Sequence, residues 1–176
     1  EERCKICKKV IGTKTIAKIA DVKLSGNSYV YDGKTKTPSV TVKNSKGKTL
    51  AKTDYSIAYA KGRKNVGSYT VMITLKNNYS GTVKKTFKIV PKTTSISKLT
   101  AGKKKLTVKW KKQATQTTGY QLQYGTSSKF KGAKTATITK NKTVSKAISK
   151  LKAKKKYYVR IRTYKTCLLY TSPSPR

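Results

Sequence analysis

Apolar and polar side chains alternate along the segment 151–164, LKAKKKYYVRIRTY, and this alternation restricts the chain more than any other feature of the sequence. A period of two is typical of a β-strand that buries one face and exposes the other. One side of an extended chain would carry Tyr157, Val159 and Ile161, and the other Tyr158, Arg160 and Arg162. Such a strand needs a second apolar face to cover it, so the segment predicts two packed sheets.

Two further segments, LTVKW at 106–110 and YQLQY at 120–124, have the same period and supply that second face. Their inward positions would hold Leu106, Val108 and Trp110 together with Tyr120, Leu122 and Tyr124. Residues of this kind on facing sheets make the core of a β-sandwich. In this part of the chain we predict strands at 95–99, 104–110, 120–125, 133–139, 145–148 and 157–166.

The combination of Trp110, a Tyr-rich third strand, and Leu151 followed by Tyr157 resembles the fibronectin type III family. The resemblance covers about residues 91–166. It implies a tyrosine corner, in which the Tyr157 hydroxyl closes the preceding loop onto backbone, and structural roles for Trp110, Leu151 and Tyr157. It also implies a last strand that pairs with the strand at 157–166.

Residues 18–90 predict another sandwich, because short alternating segments recur there between turn signals. Glycines such as Gly33, Gly67 and Gly81 mark several of those turns. The predicted strands are 20–24, 28–31, 39–42, 55–59, 68–75 and 83–90. We therefore predict an all-β chain of two tandem antiparallel β-sandwich domains, Ig-like and then fibronectin type III-like, the second lacking its last strand.

The first of these domains resembles the bacterial Ig-like repeats of the YDG/MBG type, found in multi-domain surface proteins of Gram-positive, Clostridia-like bacteria. The resemblance rests on SYVYDGK at 28–34, on PSVTVK at 38–43, and on the segment 66–82 followed by Phe87 and Ile89. It spans nearly all of residues 22–90. It implies a secreted or surface-anchored protein built from repeated modules.

Four segments follow from these patterns. Residues 1–17 are interpreted as the tail of a preceding Cys-containing module, 18–90 as the Ig-like domain, and 91–166 as the truncated fibronectin type III domain. Pro91 marks the joint, because proline cannot donate to a strand ladder. In the tail 167–176 the pattern stops, and Pro173 and Pro175 oppose a regular strand, which predicts a non-native or disordered end.

Cys4 and Cys7 form a CxxC pair near the start of the sequence. A zinc site needs four ligands, and the chain has no His and only Cys167 besides this pair, so the two could bind metal only with ligands from upstream. The pair fits the tail of a preceding module, an isolated disulfide or two free thiols. A catalytic redox motif is the least favoured alternative, since no βαβ pattern follows.

The charge is extreme, with 43 Lys and Arg against 5 Asp and Glu and a net charge of +38. Such a field favours polyanionic partners. The alternative is a lysine-covered surface that keeps an extracellular β-protein in solution, and the lysines are spread along outward positions such as Lys105 and Lys109. The same two readings apply to the KAKKK run at 152–156, and the solvated surface is favoured in both cases.

Acid–base chemistry has few candidate groups here, because the chain contains no His and no Asp or Glu after Asp54. Two Ser-x-x-Lys triplets occur, at 95–98 and 149–152, but both fall on predicted strands or strand ends and not on the helix that such chemistry uses. A Lys–Asn crosslink would need Asp21, Asp32 or Asp54 as its carboxylate. We predict no enzyme activity and no cofactor.

The two family resemblances imply a non-catalytic spacer, scaffold or adhesion-support role in an extracellular, secreted or cell-wall-associated bacterial protein. The alternative is a module that binds carbohydrate or an anionic cell-wall polymer through loop lysines and exposed tyrosines. Candidate tyrosines for such contacts are Tyr29, Tyr31, Tyr79, Tyr158 and Tyr164. The expected partners are other domains of the same polypeptide and possibly a wall polymer or glycan, without specific nucleic-acid binding and without a membrane span.

Overall fold

The computed structural model describes residues 2–3, 10–12 and 18–166, and these residues form an all-β structure. Cys4, Cys7 and the tail 167–176 lie outside the described residues, so the predictions made for them stay predictions. The strands are β1 (Glu2–Arg3), β2 (Val10–Gly12), β3 (Ile19–Leu24), β4 (Ser28–Val30), β5 (Val40–Asn44), β6 (Tyr55–Tyr59), β7 (Gly67–Leu75), β8 (Thr82–Val90), β9 (Ile96–Gly102), β10 (Lys105–Trp110), β11 (Gly119–Gly125), β12 (Lys134–Ile138), β13 (Ser145–Ile148) and β14 (Tyr158–Tyr164). The predicted all-β class is confirmed.

Strands β3 to β8 make the first sandwich, which pairs a two-stranded sheet, β3-β5, with a four-stranded sheet in the order β4-β8-β7-β6. Inward side chains alternate along the long strand β7, where Val71, Ile73 and Leu75 are buried and the residues between them are exposed. Phe87 and Ile89 of β8 bury in the same way. The core is completed by Val22, Val40, Val42, Leu50 and Tyr55.

Strands β9 to β14 make the second sandwich from two antiparallel three-stranded sheets, β13-β10-β9 and β12-β11-β14. Its core consists of Val108, Trp110, Tyr120, Leu122, Ile138 and Ile148. Leu106 and Tyr124, which were also predicted to point inward, are partly buried against this cluster. Among the described residues β14 is an edge strand of its sheet.

Besides β1 and β2, one local element has no counterpart in the sequence prediction, a single 3₁₀ turn at Lys52–Asp54 directly before β6. The Asp54 N–H donates to the Ala51 carbonyl at 3.0 Å, which closes the turn. Three residues are too few to show a period, so the alternation that identified the strands carries no signal for this turn.

The chain divides into two compact units. Among the described residues, one unit comprises those up to Tyr29 together with Thr35–Arg63 and Ser68–Lys88, and the other comprises Val30–Lys34, Lys64–Gly67 and those from Ile89 onward. Near the N-terminus, the short strands β1 and β2 pair antiparallel. The part of the chain that the structure describes holds no helix with the length and apolar character needed to cross a membrane.

Candidate functional site

Trp110 lies at the end of β10 in the middle of the second core and is only 3% exposed. Its ring packs against Tyr120, with ring centroids 5.4 Å apart and planes inclined by 59°. The indole N–H finds no acceptor among the described residues. Trp110 therefore serves to pack the core, and its indole nitrogen is buried there without a hydrogen-bond acceptor among the described residues.

Tyr120 combines core packing with a polar function that sequence reasoning missed. Its ring is fully buried, and its hydroxyl accepts the Gln113 N–H at 2.8 Å and lies 3.0 Å from the Asn141 carbonyl. The Asn141 side chain in turn donates to the Thr117 carbonyl at 2.9 Å. One buried tyrosine thus joins the loops that follow β10 and β12. The sequence pattern indicated only that the Tyr120 ring is buried, and it did not indicate that the hydroxyl contacts two loops.

Tyr157 and Leu151 lie at opposite ends of the loop between β13 and β14. The Tyr157 hydroxyl accepts the backbone N–H of Lys152 at 3.0 Å, and the Leu151 side chain packs against the second core. The Leu151 N–H donates to the Lys104 carbonyl at 3.0 Å, in the turn between β9 and β10. Two consecutive amides therefore fix this loop, one to its own tyrosine and the other to a neighbouring turn.

The same two loops line an open cavity of about 500 Å³ at one end of the second sandwich. Its apolar wall includes Leu99, Leu106, Leu151 and Tyr157, and the lysines around it are Lys103, Lys104, Lys105, Lys152, Lys154 and Lys155. Small-molecule pockets have volumes of this order and combine apolar walls with a few polar groups. The cavity is suited to a ligand with an anionic group.

Three lysines beside this cavity have left-handed backbone conformations, which side chains with a Cβ adopt only at a cost. They are Lys104 (φ 49°), Lys150 (φ 58°) and Lys154 (φ 53°). Glycine or asparagine is the usual residue in such positions. Each of these three positions has a lysine, although the uncharged glycine or asparagine would adopt the same backbone conformation at a lower cost.

Among the remaining sequence candidates, the segment 149–152 contributes Leu151 and Lys152 to the lining of this cavity, and the others lie outside the lining. Of the five tyrosines proposed as contacts, all are partly buried, and Tyr29 packs edge-on against Phe87 at 5.8 Å. The segment 95–98 runs into strand β9 and the segment 149–152 is loop, so neither Ser-x-x-Lys triplet lies on a helix. Within residues 2–3, 10–12 and 18–166, no three His, Cys, Asp or Glu side chains are grouped to hold a metal ion.

The three described aspartates with a proposed crosslinking role make local contacts in the first sandwich. Asp21 pairs with Lys23 at 3.3 Å, and Asp32 accepts the Lys34 N–H at 2.9 Å. Asp54 accepts the side-chain amide of Asn77 at 3.0 Å. Each carboxylate thus has a contact that serves a strand or a turn.

Tyr59 is the last residue of β6 and is partly buried. Burial raises the pKa of its hydroxyl, and the nearby Arg63 guanidinium opposes this increase. The hydroxyl donates to the Pro38 carbonyl at 2.7 Å, and Arg63 lies over the ring at 4.9 Å. In its protonated form, Tyr59 therefore joins β6 to Pro38, two residues before β5.

Comparison with known proteins gives a family match for the part of the chain that contains the second sandwich. The family profile named "Fibronectin type III domain" matches residues 90–175. No curated protein matches the sequence. The crystal structure of the chicken CNTN1 FN1-FN3 domains aligns with a TM-score of 0.41 and 13% identity, over 86% of this chain and 64% of that one. Over residues 90–175 the chain is therefore similar in sequence to fibronectin type III domains.

Proposed function

We propose that the chain is a non-catalytic spacer or adhesion-support segment of an extracellular bacterial protein, secreted or associated with the cell wall. The fibronectin type III domain is a common structural module, which supports this role for residues 90–175. The proposal assigns residues 18–90 to the bacterial Ig-like repeats, on the motifs at 28–34 and 38–43. Other domains of the same polypeptide are the expected partners.

The observation that carries this proposal is that tyrosine hydroxyls in both sandwiches form hydrogen bonds with the protein's own backbone. The hydroxyls of Tyr59, Tyr120 and Tyr157 all bond to backbone groups of their own sandwich. Hydrogen bonds of this kind fix loops and strand ends. A module whose polar groups are engaged in this way is suited to resist deformation.

Single-molecule pulling on the chain tests the spacer role. Each sandwich should unfold in one discrete event that lengthens the chain by about 25 nm, because roughly 70 residues at up to about 3.6 Å each are released. Extension without discrete events would contradict the proposal. The Tyr157→Phe variant should lower the unfolding force of one event and leave the other unchanged.

A second candidate function is binding to an anionic cell-wall polymer, and the cavity with its six lysines favours it. Lysine ammonium groups bind phosphate as point charges. An apolar wall beside them would accommodate the carbon skeleton of a polymer unit. Binding of this kind depends steeply on salt, because each neutralised anion releases counterions.

The second candidate is tested by titrating the chain with a glycerol phosphate polymer at several salt concentrations. The triple variant K103Q/K152Q/K155Q should bind more weakly and reduce the log–log salt slope by up to about three, roughly one per lost cation. The matched variant K46Q/K61Q/K76Q removes the same charge from exposed positions of the first sandwich. Equal losses in both variants would show that overall charge, and not the cavity, attracts the polymer.

A further inference from the structure

Arginine is scarce in this chain, and two of the few are placed side by side. Only five of the 43 basic residues are arginine, and Arg160 and Arg162 alternate on the outer face of β14. Both side chains are exposed. Arginine differs from lysine in its planar fork, which matches phosphate and carboxylate oxygens through paired hydrogen bonds. The placement of this pair is therefore a separate observation from the general lysine coat.

Each of the two guanidinium groups is held by a glutamine on the neighbouring strand. Arg160 Nε donates to Gln123 Oε1 at 2.6 Å, and Arg162 Nε donates to Gln121 Oε1 at 2.7 Å. The four residues are opposite one another in the β11–β14 register. Because a guanidinium has five N–H donors, each retains four after this contact. The glutamines thus orient the forks without neutralising their charge.

No carboxylate of the second sandwich can occupy these forks, because the sequence between residues 91 and 166 contains no Asp or Glu. A shallow depression of about 290 Å³ lies between the two pairs, lined by Gln121, Gln123, Arg160, Ile161 and Arg162. Residues two apart on a strand are separated by about 6.6 Å. Two oriented cations with that spacing are complementary to two anions at a similar spacing along an extended polymer.

Neighbouring aromatic rings indicate which kind of polymer fits. The Arg160 guanidinium lies over the Phe130 ring at 4.3 Å, and the Lys156 ammonium lies over the Tyr158 ring at 5.3 Å. Binding of single-stranded nucleic acid relies on ring faces on which bases stack. Here each of these rings already has a cation over one face, so the surface favours phosphates without stacking bases.

We propose that Arg160 and Arg162 bind two successive phosphate groups of a phosphodiester polymer whose repeating unit is a sugar or a polyol. This inference rests on the second candidate function, polymer binding, and adds a specific site to it. The lysines supply salt-dependent attraction, whereas the two oriented forks select tetrahedral anions at the right spacing. Gln121 and Gln123 are positioning residues, since they act through the arginines.

The experiment measures binding of a glycerol phosphate oligomer to the full chain by calorimetry, with the double variant R160K/R162K. This variant keeps the net charge and removes only the forks, so a loss of about 10-fold in affinity, or about 1.4 kcal/mol, is expected. The control is Arg63→Lys, which changes an arginine of the first sandwich that stacks over Tyr59. Circular dichroism melts verify that the variants fold.

The side-chain N–H signals of Arg160 and Arg162 provide a second readout by NMR, and they should shift on addition of the oligomer. Unchanged affinity in R160K/R162K would overturn the arginine site while leaving polymer binding intact. Absence of any binding by the wild-type chain would overturn both. Tighter binding of an oligothymidylate, a heparin fragment or polyglutamate than of the glycerol phosphate oligomer would overturn the proposed ligand class.

Discussion

The two sandwiches are closed by tyrosine hydroxyls in different places. In the first, Tyr55 and Tyr59 of β6 bond to the carbonyls of Val40 and Pro38, at or just before the start of β5. In the second, Tyr120 and Tyr157 bond to backbone groups of loops. The first sandwich thus uses tyrosine to join its two sheets, whereas the second uses it to fix the ends of its strands.

Their charges differ as well. Residues 18–90 contain 15 basic and three acidic residues, and residues 91–166 contain 22 basic residues and no acidic one. Both nevertheless form closed cores of similar composition. The comparison shows that the alternation of apolar residues, and not the balance of surface charge, decides that each segment becomes a sandwich. The charge distinguishes what the two sandwiches can bind.

The largest effect is expected from removing core volume in the second sandwich. Leu122→Ala should destabilise it by about 2–5 kcal/mol, because Leu122 is fully buried. Trp110, the single tryptophan of the chain, reports on this core alone by fluorescence. The matched variant Ile73→Ala, at a fully buried site of the first sandwich, should leave the tryptophan transition unchanged. An equal shift in both variants would show that the two cores unfold together.

A smaller effect is expected at the tyrosine corner. Tyr157→Phe removes the acceptor of the Lys152 N–H, and it should destabilise the second sandwich by about 1 kcal/mol. Urea unfolding followed by tryptophan fluorescence measures the change. Tyr158→Phe serves as the control, because it removes a hydroxyl one residue away on the opposite side of the strand. Similar losses in both variants would assign no special role to the corner.

Tyr59 makes the first sandwich sensitive to alkaline pH. Its pKa is raised in the folded state, so the folded chain holds this proton after the unfolded chain has lost it. The contribution of the protonated Tyr59 hydroxyl to the free energy of unfolding is fully present below about pH 10, and it falls as the pH rises through the folded-state pKa. The stability difference between the wild type and Tyr59→Phe should therefore be constant below about pH 10 and shrink as the pH rises further. Urea melts by circular dichroism measure it, and a constant difference would contradict the assignment.

The smallest effect is expected from relieving backbone strain next to the lysine cavity. Lys104→Gly should stabilise the second sandwich by about 0.5 kcal/mol, because the cost of the left-handed conformation exceeds the entropy that glycine loses. Thermal unfolding by tryptophan fluorescence measures the gain. Lys103→Gly is the control, because the backbone φ of Lys103 is not positive and glycine relieves no strain there. A loss of stability in Lys104→Gly would show that the lysine side chain itself stabilises the turn.

The sequence predicted the strands closely because each prediction used only neighbouring residues. The predicted segments 55–59 and 145–148 coincide with β6 and β13, and most other strands differ by one or two residues at an end. The alternation of apolar and polar side chains and the glycines at turns are local signals, and they were sufficient to predict the all-β fold class. Trp110, Leu151 and Tyr157 were identified through a family resemblance to a motif that is itself mostly local.

The candidate binding surfaces depended on the tertiary structure. The lysine cavity joins the turn at Lys104 to the loop at Leu151, and the arginine forks require Gln121 and Gln123 opposite Arg162 and Arg160. These groups are about 40 or more residues apart in the chain, and only the strand order and register bring them together. The sequence by itself therefore determined which residues are buried, since alternation depends on the next residue but one. The fold decided which exposed charges become neighbours, because charge–charge geometry depends on distances across strands.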